Sequence, residues 1–282
     1  MNALEVKNVT KAYPNFTLDR VTLSLPAGCI MGLVGENGAG KTTLIRLIMN
    51  AAKADSGSVT VMGVDNTSPA FHDLKEDIGV VLDEAFFPDV LTARDIGRVM
   101  AATYRNWDKE AYRHWLTAFS LPEKQRFREF SRGMKMKLSI AAALSHDPKL
   151  LILDEPTGGL DPVVRDEILT VFSDFAREGD HAVLISSHIV SDLEKICDYI
   201  ACVHHGRLLL CEEKDRLLEE YAIVKLSEAE FASLPSAAVH ARHATPYCVE
   251  ALVERSMLPS GLRPEHATLE DILLLLVKED HP

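Results

Sequence analysis

Gly35-Glu36-Asn37-Gly38-Ala39-Gly40-Lys41-Thr42 follows the pattern G-x-x-x-x-G-K-[ST], with Thr43 directly after it. This spacing suits phosphate binding. Glycines let the backbone turn tightly and bring N–H groups against anionic oxygens. Lys41 has the reach for β- and γ-phosphates, and the Thr42 hydroxyl is a ligand for Mg²⁺. The flanks support this reading. Ile30-Met31-Gly32-Leu33-Val34 suits a buried parallel strand. Leu44-Ile45-Arg46-Leu47-Ile48-Met49 suits a helix whose N-terminus would point at the anion. A Gly-rich surface turn is the competing reading, and it leaves strand and helix unexplained.

A second group of residues could do chemistry. Leu150-Leu151-Ile152-Leu153 ends in Asp154-Glu155. An apolar strand that ends in two acids presents carboxylates at the sheet's carboxyl edge, where open α/β sheets bind ligands. Asp154 is placed to hold Mg²⁺ together with Thr42. Glu155 is placed to orient and deprotonate an attacking water. An acid after an apolar run is common by itself; this one gains force because it follows a phosphate loop.

The remaining elements must position these groups. Leu4 to Val9 and Leu18 to Leu25 alternate apolar and polar residues, as half-buried strands do. Pro26-Ala27-Gly28 punctuates before the next strand, and Ser58 to Gly63 reads as a further strand with a turn. The first segment is therefore β-rich. From Thr92 to Glu129 charged residues interleave with Ile96, Val99, Met100, Tyr104, Trp107, Tyr112, Trp115, Leu116 and Phe119, a helical core pattern. Ser139 to Ser145 is an Ala-rich helical segment. Ala182-Val183-Leu184-Ile185 repeats the apolar run of Leu150 to Leu153, with a helical pattern from Val163 to Ala176 between them. That rhythm indicates parallel strands with helical crossovers. Ala201 to Leu210 reads as a closing hairpin.

The chain has 282 residues, 47% of them hydrophobic, which suits a large α/β core. Its formal net charge of −12 argues against a protein built mainly to grip nucleic-acid phosphates. The five cysteines form no C-x-x-C pair and read as buried reduced thiols. His204-His205 lacks a third ligand at metal-binding spacing and reads as a solvated turn. The N-terminus lacks the pattern of a signal peptide, and the apolar run Ile272 to Val277 is too short to span a bilayer. The expectation is a soluble chain whose membrane role, if any, comes through a partner. Thr268-Leu269-Glu270-Asp271 reads as a capping-box helix start, and the apolar run after it should bury against its own chain.

Three further pieces follow in order. Phe130-Ser131-Arg132-Gly133-Met134-Lys135 opens a helix that is expected from Met136 onward, so its Ser and Gly N–H groups could receive a phosphate. Gly159-Leu160-Asp161-Pro162 follows the acid-bearing strand, and Ser187-His188 follows the strand Val183 to Ser186. As a set, these motifs resemble the ATP-binding subunit of ATP-binding-cassette (ABC) transporters over about Leu4 to Glu213. The Ser131 segment is similar to that family's signature motif, usually Leu-Ser-Gly-Gly-Gln. His188 resembles its switch histidine, which contacts the γ-phosphate, and Tyr13 lies where the family keeps an aromatic that stacks on adenine.

The resemblance implies an α/β fold. Its parts are a P-loop NTPase core with a mostly parallel sheet, an antiparallel N-terminal β subdomain, an inserted helical subdomain over about 90–145, and a small C-terminal α+β extension. The ATPase domain would cover residues 1–213 and the accessory region residues 214–282. ATP and Mg²⁺ are the implied cofactors. The implied partners are a second ATP-binding subunit, identical or not, and a multi-span permease, with the chain peripheral at the cytoplasmic face of the membrane. Lys41, Glu155, His188 and Asp83 are the implied catalytic groups. Thr42, Asp154 and Asp83 are the implied metal ligands. Tyr13, residues 35–43, Ser131 and Gly133 are the implied nucleotide contacts.

Two positions depart from the family pattern. Asp83 stands where the family normally has Gln, with Glu84 a second candidate for that role. Asp83 keeps an oxygen ligand but adds charge near Asp154 and Glu155. Arg132 stands at the first Gly of the signature motif, and Met134-Lys135 at its end. This form resembles the ATPases that pair with six-helix, ABC-2 type exporter subunits. A soluble ATP switch acting on nucleic acid or ribosomes is the alternative. Such proteins usually fuse two cassettes or insert a coiled coil, and this chain has one cassette and no heptad run. A small-molecule kinase would leave Ser131-Arg132-Gly133 and Ser187-His188 without a role.

Overall fold

The structure is a computed structural model that describes residues 1–83, 87–259, 262 and 264–279. Glu84 and the end of the C-terminal region lie outside the described residues. The chain opens with β1 (Asn2–Tyr13), β2 (Phe16–Pro26) and β3 (Ile30–Val34), and then α1 (Lys41–Ile48). β4 (Ser56–Val61), β5 (Val64–Asp65), α2 (Ala70–Leu74) and β6 (Ile78–Val81) follow. The helical stretch comprises α3 (Ala93–Thr103), α4 (Lys109–Ala118) and α5 (Arg132–Leu144). β7 (Leu150–Asp154), α6 (Pro162–Arg177), β8 (Ala182–Ser187), α7 (Val190–Ile196), β9 (Tyr199–His204) and β10 (Arg207–Glu213) complete the main body. The remainder is α8 (Lys214–Glu220), β11 (Tyr221–Leu226), α9 (Glu228–Phe231), β12 (Val239–Ala244), β13 (Val249–Glu254) and α10 (Leu269–Glu279).

Among the described residues the strands form three sheets. The central one has the order β10-β9-β3-β8-β7-β6, the N-terminal one β2-β1-β4-β5, and the C-terminal one β11-β13-β12. In the central sheet β6, β7, β8, β3 and β9 are parallel, and only β10 runs antiparallel. β3, β7 and β8 are buried at every position. That burial explains why they read as continuous apolar runs, since helices or a second sheet cover both faces. The N-terminal sheet is antiparallel and alternates, with Leu18, Val21, Leu23 and Leu25 turned inward. It packs on one face of the central sheet through Leu4, Val6, Met31, Leu33 and α1 residues Leu44, Ile45 and Ile48.

α3, α4 and α5 pack on one another beside β6. Ile96, Tyr112, Leu116 and Phe119 are buried there, and Met100, Trp107 and Trp115 pack against them. Val99 instead faces solvent, because the inward stripe of α3 runs through Ala93, Ile96, Gly97 and Met100. α5 begins at Arg132, four residues before the expected Met136. The Ser131 hydroxyl accepts a hydrogen bond from the Met134 N–H at 3.2 Å, so it caps the helix that early.

The His204-His205 expectation also needs correction. His205 takes the turn, in a left-handed conformation with φ 44°. His204 ends β9 and is buried. In the C-terminal region the Thr268 capping box forms as the sequence suggests. Thr268 N–H and hydroxyl both donate to Asp271, and the Asp271 N–H donates back to Thr268 Oγ1. Those hydrogen bonds hold the Asp271 carboxyl below its usual range. α10 then packs against β12, α7 and α8, burying Ile272, Leu273 and Leu275 in the same core as Leu193, Cys197 and Ile200. Ile272, Leu273 and Leu275 are therefore internal, as expected, whereas Leu274 faces solvent on the opposite flank of the helix. Burial pushes the Cys202 thiol up to about 12 and the Cys197 thiol up as well, consistent with inert packed cysteines.

Candidate functional site

The carboxyl ends of β3, β7 and β8 lie side by side, with Val34 opposite Ser187 and Asp154 opposite Ser186. Three loops therefore leave the sheet at one edge. The loop after β3 runs straight into α1, whose N-cap is Gly40. Gly40 has φ +118°, and a side chain there would also meet Phe16 at 2.9 Å. Only glycine permits both the turn and the approach of the hairpin aromatic. The first N–H groups of α1 face the loop, which makes an anion site by backbone alone.

A cleft of about 500 Å³ opens here, lined by Glu36, Asn37, Gly38, Gly40, Lys41, Thr42 and Thr43, with Asp83 and Glu155 on the far side. Lys41 is buried. Its ammonium donates to the Gly35 carbonyl at 2.5 Å and to the Glu36 carbonyl at 3.2 Å. It also lies 3.1 Å from Glu155 Oε1, an ion contact without hydrogen-bond alignment. Ala39 is buried, and its carbonyl accepts from the Gly206 N–H. That bond ties the loop to the β9–β10 turn.

The acid side is connected as tightly. Thr42 Oγ1 donates to Asp154 Oδ2 at 2.8 Å, and Ser186 Oγ donates to Asp154 Oδ1 at 2.6 Å. Glu155 has φ +51°, unusual for a residue with a side chain. Such a conformation costs about 1–3 kcal/mol and persists where surroundings enforce it. Here the Glu155 N–H donates to Ser186 Oγ at 2.9 Å, and the Glu155 carbonyl accepts from Gly158 at 3.1 Å. The Glu155 side chain is thereby turned toward the cleft. Its Oε2 lies 2.7 Å from His188 Nδ1. Lys41, Glu155 and His188 thus form one line of contacts, and Thr42, Asp154 and Ser186 a second behind it.

A hydroxyl and a carboxylate 2.8 Å apart at the phosphate side are oxygen donors of the kind a hard divalent cation takes. Among the described residues no group of three His, Cys, Asp or Glu side chains could hold a metal ion. Thr42 and Asp154 therefore fit a cation that keeps most of its ligands as water and phosphate, as Mg²⁺ does, and do not form an all-protein cage.

Other expected residues lie apart from this constellation. Tyr13 ends β1 and faces solvent, with Lys11 Nζ 5.7 Å from its ring centroid. Its cross-strand neighbour Phe16, together with Asn15, lines the cleft. Ser131 and Gly133 sit at the start of α5 and do not line the cleft of their own chain. Asp83 does line it, and its Oδ1 lies 3.1 Å from Arg132 Nη2.

Ser186 is one residue of this constellation that sequence reasoning overlooked; the cleft-lining Asn15 and Phe16 are others. The only signal for Ser186 was a polar end to the apolar run Ala182 to Ile185. Removing its hydroxyl takes away the donor to Asp154 Oδ1 and leaves the Glu155 N–H with only the Ser186 carbonyl at 3.2 Å. Ser186→Ala is expected to lower stability by about 1–3 kcal/mol and to lower ATP turnover further than ATP affinity. Chemical denaturation and steady-state kinetics read the two effects, and turnover equal to wild type would remove Ser186 from the site.

The profile of the ABC transporter family matches residues 18–158. The bacitracin transport ATP-binding protein BcrA of Enterococcus faecalis is 36% identical over 209 residues, covering 73% of this chain and 68% of that protein. The lantibiotic transport ATP-binding protein SrtF of Streptococcus pyogenes is 34% identical over 215 residues, covering 75% and 91%. A solved ATP-binding subunit of an ABC transporter superposes with a TM-score of 0.69 at 27% identity, covering 76% of this chain and 91% of that one. In fold alone, a dimeric post-hydrolysis ATP-binding cassette bound to ADP and phosphate matches with a TM-score of 0.68, at 22% identity and covering 74% and 98%. The chain belongs to the ABC transporter family. It is an ATP-binding subunit and an ATPase, with the α/β cassette fold that the motifs imply.

Proposed function

We propose that this chain is the motor subunit of an exporter, and that two ATP-binding subunits close over two ATP molecules. The observation that carries the reading is the split of the site. Lys41, Thr42, Asp154, Glu155 and His188 converge on one cleft, whereas Ser131 and Gly133 of the same chain lie outside it. A helix N-terminus with a serine cap is suited to a phosphate, and a second copy would bring its own to this cleft. The loop of residues 35–43 and Lys41 bind the phosphates. Tyr13 and the Phe16 turn flank the base side. Mg²⁺ on Thr42 and Asp154, with Asp83 at the cleft wall, would neutralise charge on the β- and γ-oxygens.

Glu155 is held by His188 with its carboxylate at the cleft, where it accepts a proton from the attacking water as the bond from γ-phosphorus to ADP breaks. His188 also meets the γ-phosphate, so loss of that group would loosen the Glu155–His188 line. Closure is then a two-state equilibrium biased by ATP.

In this reading residues 1–213 form the ATPase domain, with the helical insert of about 90–145 docking on a multi-span permease. Residues 214–282 form an accessory region. The chain works at the cytoplasmic face of the membrane through that permease. No helix among the described residues is long and apolar enough to cross a bilayer. The exporter assignment rests on the Arg132 and Met134-Lys135 form of the signature motif, and relatives named for bacitracin and lantibiotic transport support it.

Affinity purification of the full-length chain from detergent-solubilised membranes tests the assignment. A multi-span membrane protein is expected to co-purify in stoichiometric amount. Recovery with ribosomes or nucleic acid, and no membrane protein, would contradict it.

A further inference from the structure

The two departures from the family pattern, 49 residues apart in sequence, meet in space. Arg132 Nη2 lies 3.1 Å from Asp83 Oδ1. The guanidinium is also seated against the turn that follows Glu155. A Cβ on Gly159 would stand 2.8 Å from Arg132 Nη1 and 3.2 Å from its Cζ, and one on Gly158 would stand 3.7 Å from Nη2. Gly159 has φ +68°, so glycine there both makes the turn and leaves room for the cation. That turn is tied to Glu155 by the Gly158 N–H. Arg132 therefore joins the start of α5 to two walls of the nucleotide cleft.

We propose that Arg132 is a positioning residue for nucleotide binding: its pairing with Asp83 holds and neutralises an acid at the cleft wall. The inference rests on the reading that the cleft binds MgATP. Three carboxylates, Asp83, Asp154 and Glu155, stand around the phosphate side of a cleft that lies over Lys41. A further uncompensated negative charge there repels the triphosphate. Gly at position 132 would supply no counter-charge, whereas Arg132 supplies one and reaches Asp83 from the helix start. The two side chains are 57% and 50% exposed, so the pair contributes little to folding. Its effect is on the local field, and it must weaken as salt screens it.

Calorimetric MgATP binding to the full-length chain tests this with Arg132→Gln, Asp83→Asn and the double variant. At low ionic strength Arg132→Gln is expected to weaken MgATP binding about threefold to tenfold. Arg132→Lys keeps most of the wild-type affinity. The Arg132→Gln loss shrinks toward unity as salt is raised to ~0.5 M. In the Asp83→Asn background Arg132→Gln should cost less than about twofold, because the carboxylate it compensates is gone. Equal losses in both backgrounds, or a loss that salt does not change, would overturn the pairing while leaving the nucleotide site intact. A wild-type chain that binds no MgATP would instead overturn the functional reading itself.

Discussion

Glu155→Gln is expected to reduce ATP turnover by about 10²- to 10⁴-fold, the range for loss of a positioned general base, while MgATP affinity stays within about threefold of wild type. The substitution keeps the size of the side chain and removes its basic oxygen. The left-handed backbone at Glu155 is held by Ser186 through main-chain N–H bonding and does not depend on the carboxylate. The Gln amide still reaches His188 and the cleft. Lys41 loses an ion contact but keeps its two carbonyl partners, Gly35 and Glu36. Binding and chemistry therefore separate at this residue. Phosphate release measured beside calorimetry distinguishes them, and turnover close to wild type would remove Glu155 from the role of base.

Lys41→Ala is expected to act on the other half of the cycle. The ammonium is buried between two carbonyls and Glu155, already dehydrated and aimed by its surroundings. A charge-assisted contact of this kind contributes about 1.5–3 kcal/mol, so ATP affinity should fall about 10- to 100-fold. The fall should be larger for ATP than for adenosine, because the lost contact is to phosphate. The Glu155 carboxylate is left without its ion partner, which adds repulsion toward the γ-phosphate. Nucleotide affinity equal to wild type would mean that Lys41 serves the loop and not the ligand.

Much of this site was legible because its parts are local. The octapeptide at Gly35, the acids after Leu153 and the serine-histidine pair after Ile185 each follow a buried parallel strand, and such strands read as continuous apolar runs. What escaped depends on register or on distant contacts. Ser186 matters because β7 and β8 pair with Asp154 opposite it, a register that sequence alone does not state. Phe16 reaches the phosphate loop because the β1–β2 hairpin folds over Gly40. α5 starts at Arg132, four residues before the expected Met136, because the Ser131 hydroxyl caps it there, a contact that sequence does not state. Val99 carried the right residue type on the wrong flank of its helix. The Arg132–Asp83 contact is tertiary, so two apparent oddities in the sequence became one feature only in three dimensions.

The composite site is the central claim, and the mass of the full-length Glu155→Gln chain in solution tests it most directly. Sedimentation analysis with MgATP is expected to give twice the chain mass. The same chain should return to a monomer with ADP or without nucleotide, because in the proposed arrangement the γ-phosphate bridges Lys41 of one copy and Ser131 of the other. A chain that binds ATP one-to-one and still sediments as a monomer would contradict the claim.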